Sequence, residues 1–247
     1  MQTFKNKHVL ITGGNSGIGY ATAREFIDLG ARVMITGRRK AALQDAASAL
    51  GAIPVLADQS RLEDIERLAR TVSETFGQLD LLFINAGIIG SMGPIAEASV
   101  ENFNQVMDVN FRGAYFTLSC CIPLLREGAS VVILSSNTSI MHRPGSSIYQ
   151  ASKAALSSMA KTAAAELAPR QIRVNIISPG PIKTPIMSKA GLSSETLESI
   201  NDKLLDTIPL KTMGEPEDVA RMVRFIGGDQ AGFTTGAEII MDGGMSL

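Results

Sequence analysis

The chain has 247 residues, 45% of them hydrophobic, and a formal net charge of −1. This size suits one large α/β domain, and the near-neutral charge excludes nucleic-acid or anionic-membrane binding driven by bulk charge. Cys120 and Cys121 are neighbours that point in different directions on a helix, so we expect no disulfide and a reducing, cytoplasmic location. The apolar run near the N-terminus is too short for a signal-peptide core, and no run is long enough to span a membrane.

Seven short β-branched runs alternate with helical segments, and several are apolar on both faces, as buried parallel strands are. The alternation predicts a Rossmann-like, doubly wound, seven-stranded parallel sheet with helices on both faces, formed by residues 1–247 as a single domain. The predicted strands are KHVLIT, ARVMIT, AIPVLA, LDLLFIN, SVVILSS, IRVNIIS and AEIIMD. The main predicted helices are GIGYATAREFIDLG, SRLEDIERLARTVSETFG, VENFNQVMDVNFRGAYFTLSCCIPLL, YQASKAALSSMAKTAAAELAPR and PEDVARMVRFIGG.

The turn LITGGNSGIGYA joins the first strand to the first helix. Gly13, Gly17 and Gly19 follow the spacing G-x-x-x-G-x-G, which is neither the G-x-G-x-x-G fingerprint nor a P-loop. Glycines let the backbone turn sharply and approach a ligand closely, and a helix N-terminus offers N–H groups to a pyrophosphate. The turn is therefore a candidate dinucleotide site, with a tight turn that binds nothing as the alternative.

The segment SSIYQASKAAL places a phenol and an ammonium four residues apart, on one face of a helix. For Tyr149 to act as an acid near pH 7, its pKa must fall from ~10, which requires ~4 kcal/mol. An ammonium at ~4 Å supplies ~4 kcal/mol at an effective dielectric of ~20. The pair predicts a tyrosine acid whose pKa is lowered by Lys153; the alternative is a surface pair on an amphipathic helix.

A long connection, residues 183–209, follows the sixth strand. Connections of this length in a compact domain are usually functional. We expect a mobile segment that covers the substrate pocket.

Six motifs occur in a common order: TGGNSGIG, NAG at 85–87, Asn110, Ser136, Tyr149-x-x-x-Lys153 and SPGPIKT at 178–184. With them the chain resembles the short-chain dehydrogenase/reductases, in their single-domain branch, from Lys7 to Gly244. The resemblance implies an oxidoreductase that transfers a hydride between a nicotinamide cofactor and a carbonyl or alcohol carbon.

The resemblance also implies four catalytic residues. Tyr149 is the general acid in reduction and the base in oxidation, and Lys153 hydrogen-bonds the nicotinamide ribose. Ser136 bonds the substrate carbonyl and the developing alkoxide. Asn110 holds a water that links Lys153 to solvent, with a helix kink or a plain interhelical hydrogen bond as the alternative.

Other matched positions are implied to contact the cofactor. Asp58 accepts from the adenine amino group, with a helix-capping carboxylate as the alternative, and Thr184 holds the nicotinamide carboxamide. Asn85 is expected mainly to tie neighbouring strands together. The complete set is Gly13, Asn15, Ser16, Gly17, Ile18, Gly19, Arg38, Arg39, Asp58, Gln59, Asn85, Ala86, Gly87, Tyr149, Lys153, Pro179, Gly180, Ile182 and Thr184.

The end of the second strand predicts a preference for NADP(H). Relatives that prefer NAD carry an acidic residue where this chain has Gly37, and Arg38 and Arg39 follow. A guanidinium binds a 2′-phosphate through charge-assisted hydrogen bonds. Ser16 departs from the pattern, because many NADP enzymes carry a basic residue there.

The substrate pocket is expected to be apolar and to lack an arginine, which predicts a neutral, hydrophobic ketone, aldehyde or secondary alcohol. His142 could line its mouth or be an exposed loop residue. No metal-ligand spacing is present. The expected pocket residues are Ile88, Thr138, His142, Ile186 and Met187.

Two other functions share these motifs. One is a 3-oxoacyl-[acyl-carrier-protein] reductase, which needs basic residues such as Arg126 and Arg170 to dock its acidic carrier. The other is a non-catalytic nucleotide-sensing regulator. Apolar faces on the Asn110 and Tyr149 helices and the last strand predict a homotetramer with two-fold axes, or else a dimer.

Overall fold

The centre of the fold is a seven-stranded sheet in which all neighbouring strands are parallel, in the order β3-β2-β1-β4-β5-β6-β7. The computed structural model describes residues 4–184 and 204–247. The strands are β1 His8–Ile11, β2 Arg32–Gly37, β3 Ile53–Leu56, β4 Leu79–Ile84, β5 Leu125–Leu134, β6 Arg173–Pro179 and β7 Glu238–Met241.

Helices cover both faces of this sheet. Those described are α1 Gly17–Asp28, α2 Lys40–Leu50, α3 Leu62–Phe76, α4 Val100–Met107, α5 Gly113–Cys121, α6 Ser147–Leu167 and α7 Pro216–Gly227. Helices α3, α5 and α6 pack in one apolar cluster, and α1, α2 and α7 pack in the other. The doubly wound fold predicted from the alternation is thereby confirmed.

Alternate residues of β5 show why the strands are apolar on both faces. Val131 and Ile133 pack in the first cluster, whereas Val132 and Leu134 pack in the second. The predicted start of this strand was wrong, because β5 begins at Leu125 rather than at Ser130. The residues Arg-Glu-Gly-Ala near the start of β5 lack the β-branched pattern on which the prediction depended.

Strand order reverses between β1 and β4, which are neighbours in the sheet although two strands separate them in the chain. The connections from these two strands leave toward opposite faces, which opens a crevice at their carboxyl ends. The glycine-rich turn follows β1 and the NAG motif follows β4, so both motifs reach this crevice. Within the described ranges, no helix is both long and apolar enough to cross a membrane.

Candidate active site

A cleft of about 1120 Å³ lies at the carboxyl edge of the sheet. Its dinucleotide end is formed by residues of the turn between Gly13 and Ile18 and by Gly37–Arg39. We call the other end, which includes Thr138, Arg143 and Met245, the substrate end. Tyr149, Lys153 and Ser136 also line the cleft, as do the cofactor residues predicted from sequence, with the exception of Gly19.

The glycine-rich turn has a backbone that side chains would obstruct. Gly13 and Gly17 have positive φ angles of 67° and 54°. A Cβ on Gly19 would lie 2.4 Å from the Gly13 carbonyl oxygen. The backbone of the turn therefore packs directly against Gly19 and leaves no room for a side chain. The first turn of α1 contains no acidic residue. This open helix N-terminus fits a pyrophosphate, which would accept from its N–H groups.

Asn85 joins the two strands beside the crevice. Its Nδ2 donates to the carbonyl oxygens of Thr12 at 2.8 Å and Gly13 at 3.1 Å. The Thr12 hydroxyl in turn accepts from the backbone N–H groups of Asn85 and Ala86. These bonds fix the ends of β1 and β4 together.

The dinucleotide end of the cleft also contains a glycine and two arginines that follow each other in sequence. Gly37 is buried, and a Cβ on it would lie 3.1 Å from Asn15 Oδ1. Arg38 and Arg39 are exposed, line the cleft and have no ion-pair partner in the described parts of the chain. Their charge is therefore available for a phosphate.

Asp58 and Gln59 make local bonds as well as lining the cleft. Asp58 Oδ1 accepts from the Ser60 N–H at 2.9 Å and the Ser60 hydroxyl at 2.7 Å, which is the capping role considered as an alternative. Gln59 Nε2 donates to Thr117 Oγ1 at 2.9 Å. The second carboxylate oxygen of Asp58 has no bond to another described residue and is the atom available for an adenine amino group.

Three catalytic candidates meet where β5 ends and α6 begins. Ser136 follows β5; its Oγ donates to the Pro179 carbonyl at 3.5 Å, and its side chain lies close enough to Tyr149 to influence the pKa of the phenol. Lys153 is only 3% exposed; its Nζ donates to the Leu134 carbonyl at 2.9 Å and lies 5.8 Å from the Tyr149 ring centroid. The sequence therefore brings the hydroxyl, phenol and ammonium into one wall of the cleft.

The electrostatics of this wall differ from the expectation. Burial raises the pKa of Tyr149, and the nearby side chain of Ser136 opposes that rise. Burial also lowers the pKa of Lys153, to about 8. The prediction that Lys153 lowers the pKa of Tyr149 is wrong for this structure, because desolvation is the larger effect and the ammonium is held by a carbonyl.

Asn110 is fully buried in a π-helical turn, Asp108–Arg112, between α4 and α5. Its Oδ1 accepts from the Ile88 N–H at 2.8 Å, and its Nδ2 donates to the Ile88 carbonyl at 2.9 Å and to Ser152 Oγ at 3.0 Å. Both alternatives raised for Asn110, a helix irregularity and an interhelical bond, are present. The side chain fixes the segment after β4 against α6.

Gly87, in the segment after β4, lies beside Asn110 and Lys153. A Cβ there would lie 3.3 Å from Asn110 Oδ1 and 3.5 Å from Lys153 Nζ. On the opposite wall, a Cβ on Gly180 would lie 2.6 Å from the Asp242 Cβ. Pro179, Gly180, Ile182 and Thr184 line this wall.

The substrate end corrects two expectations. Ile88 and Thr138 line the cleft as expected, but His142 is exposed and lies outside its lining. The next residue, Arg143, lines it instead, so the expectation of a pocket without arginine was wrong. The proline that follows Arg143 was the available signal, because Pro restricts the preceding backbone and fixes its direction. Ile186, Met187 and most of the predicted segment 183–209 lie outside the described residues.

A carboxylate on β7 was missed by the sequence argument. Glu238 Oε1 accepts from the hydroxyls of Ser139 at 3.2 Å, Ser157 at 3.0 Å and Ser178 at 2.7 Å. These serines lie near Ser136, near Lys153 and beside Pro179, respectively. Hydrogen bonds from the serines hold the pKa of Glu238 below its usual range, against the opposing effect of burial. Glu238 thus joins three segments that form the cleft.

Comparisons with known proteins agree with this geometry. A family profile described as enoyl-(acyl carrier protein) reductase matches residues 13–246. The human protein Dehydrogenase/reductase SDR family member 4 is 34% identical over 246 residues, which cover 97% of this chain and 87% of that protein. The NADP-dependent (R)-specific alcohol dehydrogenase of Lentilactobacillus kefiri is 33% identical, with 97% of this chain and 96% of that protein covered. A crystal structure of a short-chain dehydrogenase/reductase from Brucella melitensis, described as a glucose/ribitol dehydrogenase, has a TM-score of 0.93 at 32% identity, with 100% of both chains covered.

Proposed function

Because the chain belongs to the short-chain dehydrogenase/reductase family, we propose that residues 1–247 act as one NADPH-dependent carbonyl reductase domain. The observation that carries this proposal is the wall formed by Ser136, Tyr149 and Lys153 beside a glycine-lined cleft. The substrate is a ketone or aldehyde, or a secondary alcohol in the reverse direction. Its body is hydrophobic, since Ile88, Ile89 and Met213 line the cleft.

The residues of this chain supply the proton and hold the substrate oxygen. The Tyr149 hydroxyl donates a proton to the carbonyl oxygen as negative charge develops there, and its raised pKa keeps it protonated at pH 7. The Ser136 hydroxyl donates a hydrogen bond to the same oxygen. When bound, the nicotinamide cofactor supplies the hydride in reduction and accepts it in oxidation.

The dinucleotide end supports a preference for NADP(H) over NAD(H). Gly37 provides no carboxylate to repel a 2′-phosphate, and the free guanidinium groups of Arg38 and Arg39 lie beside it. The Lentilactobacillus kefiri relative is named as NADP-dependent. Hydrogen bonds to charged groups contribute ~1.5–3 kcal/mol, so we expect Arg38 to favour NADPH by about tenfold to a hundredfold.

The carrier-protein alternative loses the docking residues considered for it. Arg126 binds Asp80 and the Glu127 carbonyl, and Arg170 binds the carbonyls of Ile122 and Leu125. Both arginines lie at the amino edge of the sheet, because they adjoin the starts of β5 and β6. An acidic carrier bound there would be at the edge opposite the cleft. A non-catalytic regulator, the remaining alternative, does not need the three-residue wall.

We propose that the protein is a homotetramer, with a dimer as the alternative. Apolar side chains on α4, α5 and β7 are exposed, including Phe103 at 47%, Tyr115 at 48% and Ile240 at 41%. Two-fold pairing would cover these faces. A monomer by light scattering at micromolar concentration would contradict this. We also propose a cytoplasmic location, where free Cys120 and Cys121 stay reduced.

The test of this function is a panel of ketones, aldehydes and acyl thioesters incubated with NADPH and, in parallel, with NADH. We expect oxidation of NADPH, followed by absorbance, with ketones or aldehydes and at a higher kcat/KM than with NADH. Replacing Arg38 by Leu should remove the preference without reducing activity with NADH. Preference for the thioesters would favour the carrier-protein alternative, and no turnover with any carbonyl would favour the regulator.

A further inference from the structure

The guanidinium of Arg143 lies at the substrate end of the cleft. Arg143 lines the same cavity as Tyr149, together with Thr138 and Met245. The acidic residue in the lining, Asp58, follows β3 at the dinucleotide side. Among the described lining residues, the substrate end therefore has positive charge and no carboxylate to neutralise it.

The guanidinium of Arg143 has a weak partner. Its Nη2 lies 3.2 Å from the Met245 sulfur, and a thioether is a poor acceptor. The nearby carboxylate of Asp242 is bound instead by Asn137 Nδ2 at 3.2 Å and by the Gly244 N–H at 3.0 Å. Since Arg143 has no ion pair in the described ranges, its planar set of donors is available to an external acceptor.

Hydrogen bonds hold the backbone of Arg143 next to the start of α6, the helix that carries Tyr149. Its carbonyl accepts from Gln150 Nε2 at 2.7 Å and from Ser146 Oγ at 3.2 Å, and its N–H donates to Gln150 Oε1 at 3.3 Å. Pro144 restricts the same backbone from the other side. Gln150 directly follows Tyr149, so the backbone of Arg143 is fixed relative to the helix that carries the proton donor. A site ordered in advance loses less free energy on binding.

A second polar group at this end lacks a partner. The Oγ1 of Thr138 is buried and forms no hydrogen bond with the described residues. A buried hydroxyl without a partner carries a desolvation cost. Because this oxygen is itself inaccessible, Thr138 lines the cleft through its other atoms, and the guanidinium of Arg143 is the donor that the cleft offers to a ligand.

We propose that this end binds a carboxylate of the substrate, so that the preferred class is oxo acids in which an apolar segment separates the carbonyl from the carboxylate. This rests on the proposed reductase function and refines it. A single guanidinium matches the single charge of a carboxylate. The hydrophobic lining remains suited to the segment between the two groups.

The test compares acids with their neutral methyl esters in kcat/KM with NADPH. The probes are 4-acetylbenzoate and 4-oxopentanoate, each with its ester, because they differ in the distance from carbonyl to carboxylate. We expect at least one acid to exceed its ester in the wild type. Arg143→Met should lower kcat/KM for that acid by about tenfold to a hundredfold and change the ester by less than threefold. Arg143→Lys should retain part of the preference.

Arg70→Met is the matched control, because Arg70 is exposed on α3 and outside the cleft lining. Esters reduced as well as acids, with an unchanged ratio in Arg143→Met, would overturn the carboxylate site and leave the reductase function standing. If no carbonyl is reduced, the reductase function fails. Calorimetry of 4-acetylbenzoate with the NADP⁺-loaded protein then decides the site: weaker binding to Arg143→Met supports it, and equal binding refutes it.

Discussion

At the dinucleotide end of the cleft the chain presents backbone, whereas at the substrate end it presents side chains. Gly13 has a positive φ, and a Cβ on Gly19 would lie only 2.4 Å from the Gly13 carbonyl oxygen, so both positions favour glycine. At the other end, Thr138 and Arg143 come from the connection between β5 and α6, whereas Met245 follows β7. A site formed by the backbone is specified by the local sequence. A site formed by side chains depends on which connections the fold brings together.

The largest expected effect is at Tyr149, where the two ends meet. Tyr149→Phe removes the proton donor, so kcat should fall by about 10²- to 10⁴-fold while NADPH binding, followed by fluorescence, stays within about threefold. Tyr115→Phe is the control, because Tyr115 is exposed on α5 and outside the cleft lining. Near-normal turnover by the Tyr149→Phe variant would mean that another group donates the proton.

The next effect tests the backbone-made end. In Gly19→Ala the added Cβ meets the Gly13 carbonyl, so the turn must shift, and overpacking of this kind costs ~1–3 kcal/mol. We expect a lower unfolding free energy in urea and at least tenfold weaker NADPH binding. Gly93→Ala is the matched control, since a Cβ on Gly93 meets nothing within 4 Å. Equal NADPH affinities of the two variants would show that the turn tolerates a side chain.

The same distinction explains which features the sequence predicts. The sheet, its order of elements and the glycine turn follow from periodicity and from positions that require glycine. Lys153 and Tyr149 were placed together correctly by helix spacing, but the direction of the Tyr149 pKa was not, because it depends on burial that spacing does not report. Arg143 and the Glu238 cluster were missed because their partners are distant in sequence.

The pH dependence of the unfolding free energy shows whether burial sets the pKa of Lys153. Burial lowers its pKa from 10.5 to about 8, so above pH 8 the unfolded chain binds more protons than the folded one, and stability rises with pH. The raised pKa of Tyr149 acts in the opposite direction only above pH 10. From pH 8 to 10 we expect the unfolding free energy of the wild type to rise by ~2 kcal/mol relative to Lys153→Met. Parallel urea-unfolding curves across this range would contradict a buried, desolvated ammonium.

The smallest effect concerns Glu238, which supports the catalytic wall without lining the cleft. Glu238→Gln keeps the shape but removes the charge that three serine hydroxyls and Lys161 share. Each charge-assisted bond is stronger than a neutral one, so we expect ~1 kcal/mol less stability and a Tm lower by ~2–4 °C. Because the serines hold segments beside Ser136, Lys153 and Pro179, kcat should fall several-fold.

The pH dependence distinguishes this role from a general loss of packing. A lowered folded-state pKa means that the carboxylate stabilises the fold above pH 4.5 and that this contribution is lost as pH falls through the folded pKa. The difference in unfolding free energy between the wild type and Glu238→Gln should therefore be present at pH 7 and should shrink as the pH is lowered. A difference that does not narrow as the pH falls below 4.5 would assign the effect to packing of the amide. Glu74→Gln, at an exposed position on α3, removes the same charge without these partners and should change the Tm by less than about 1 °C.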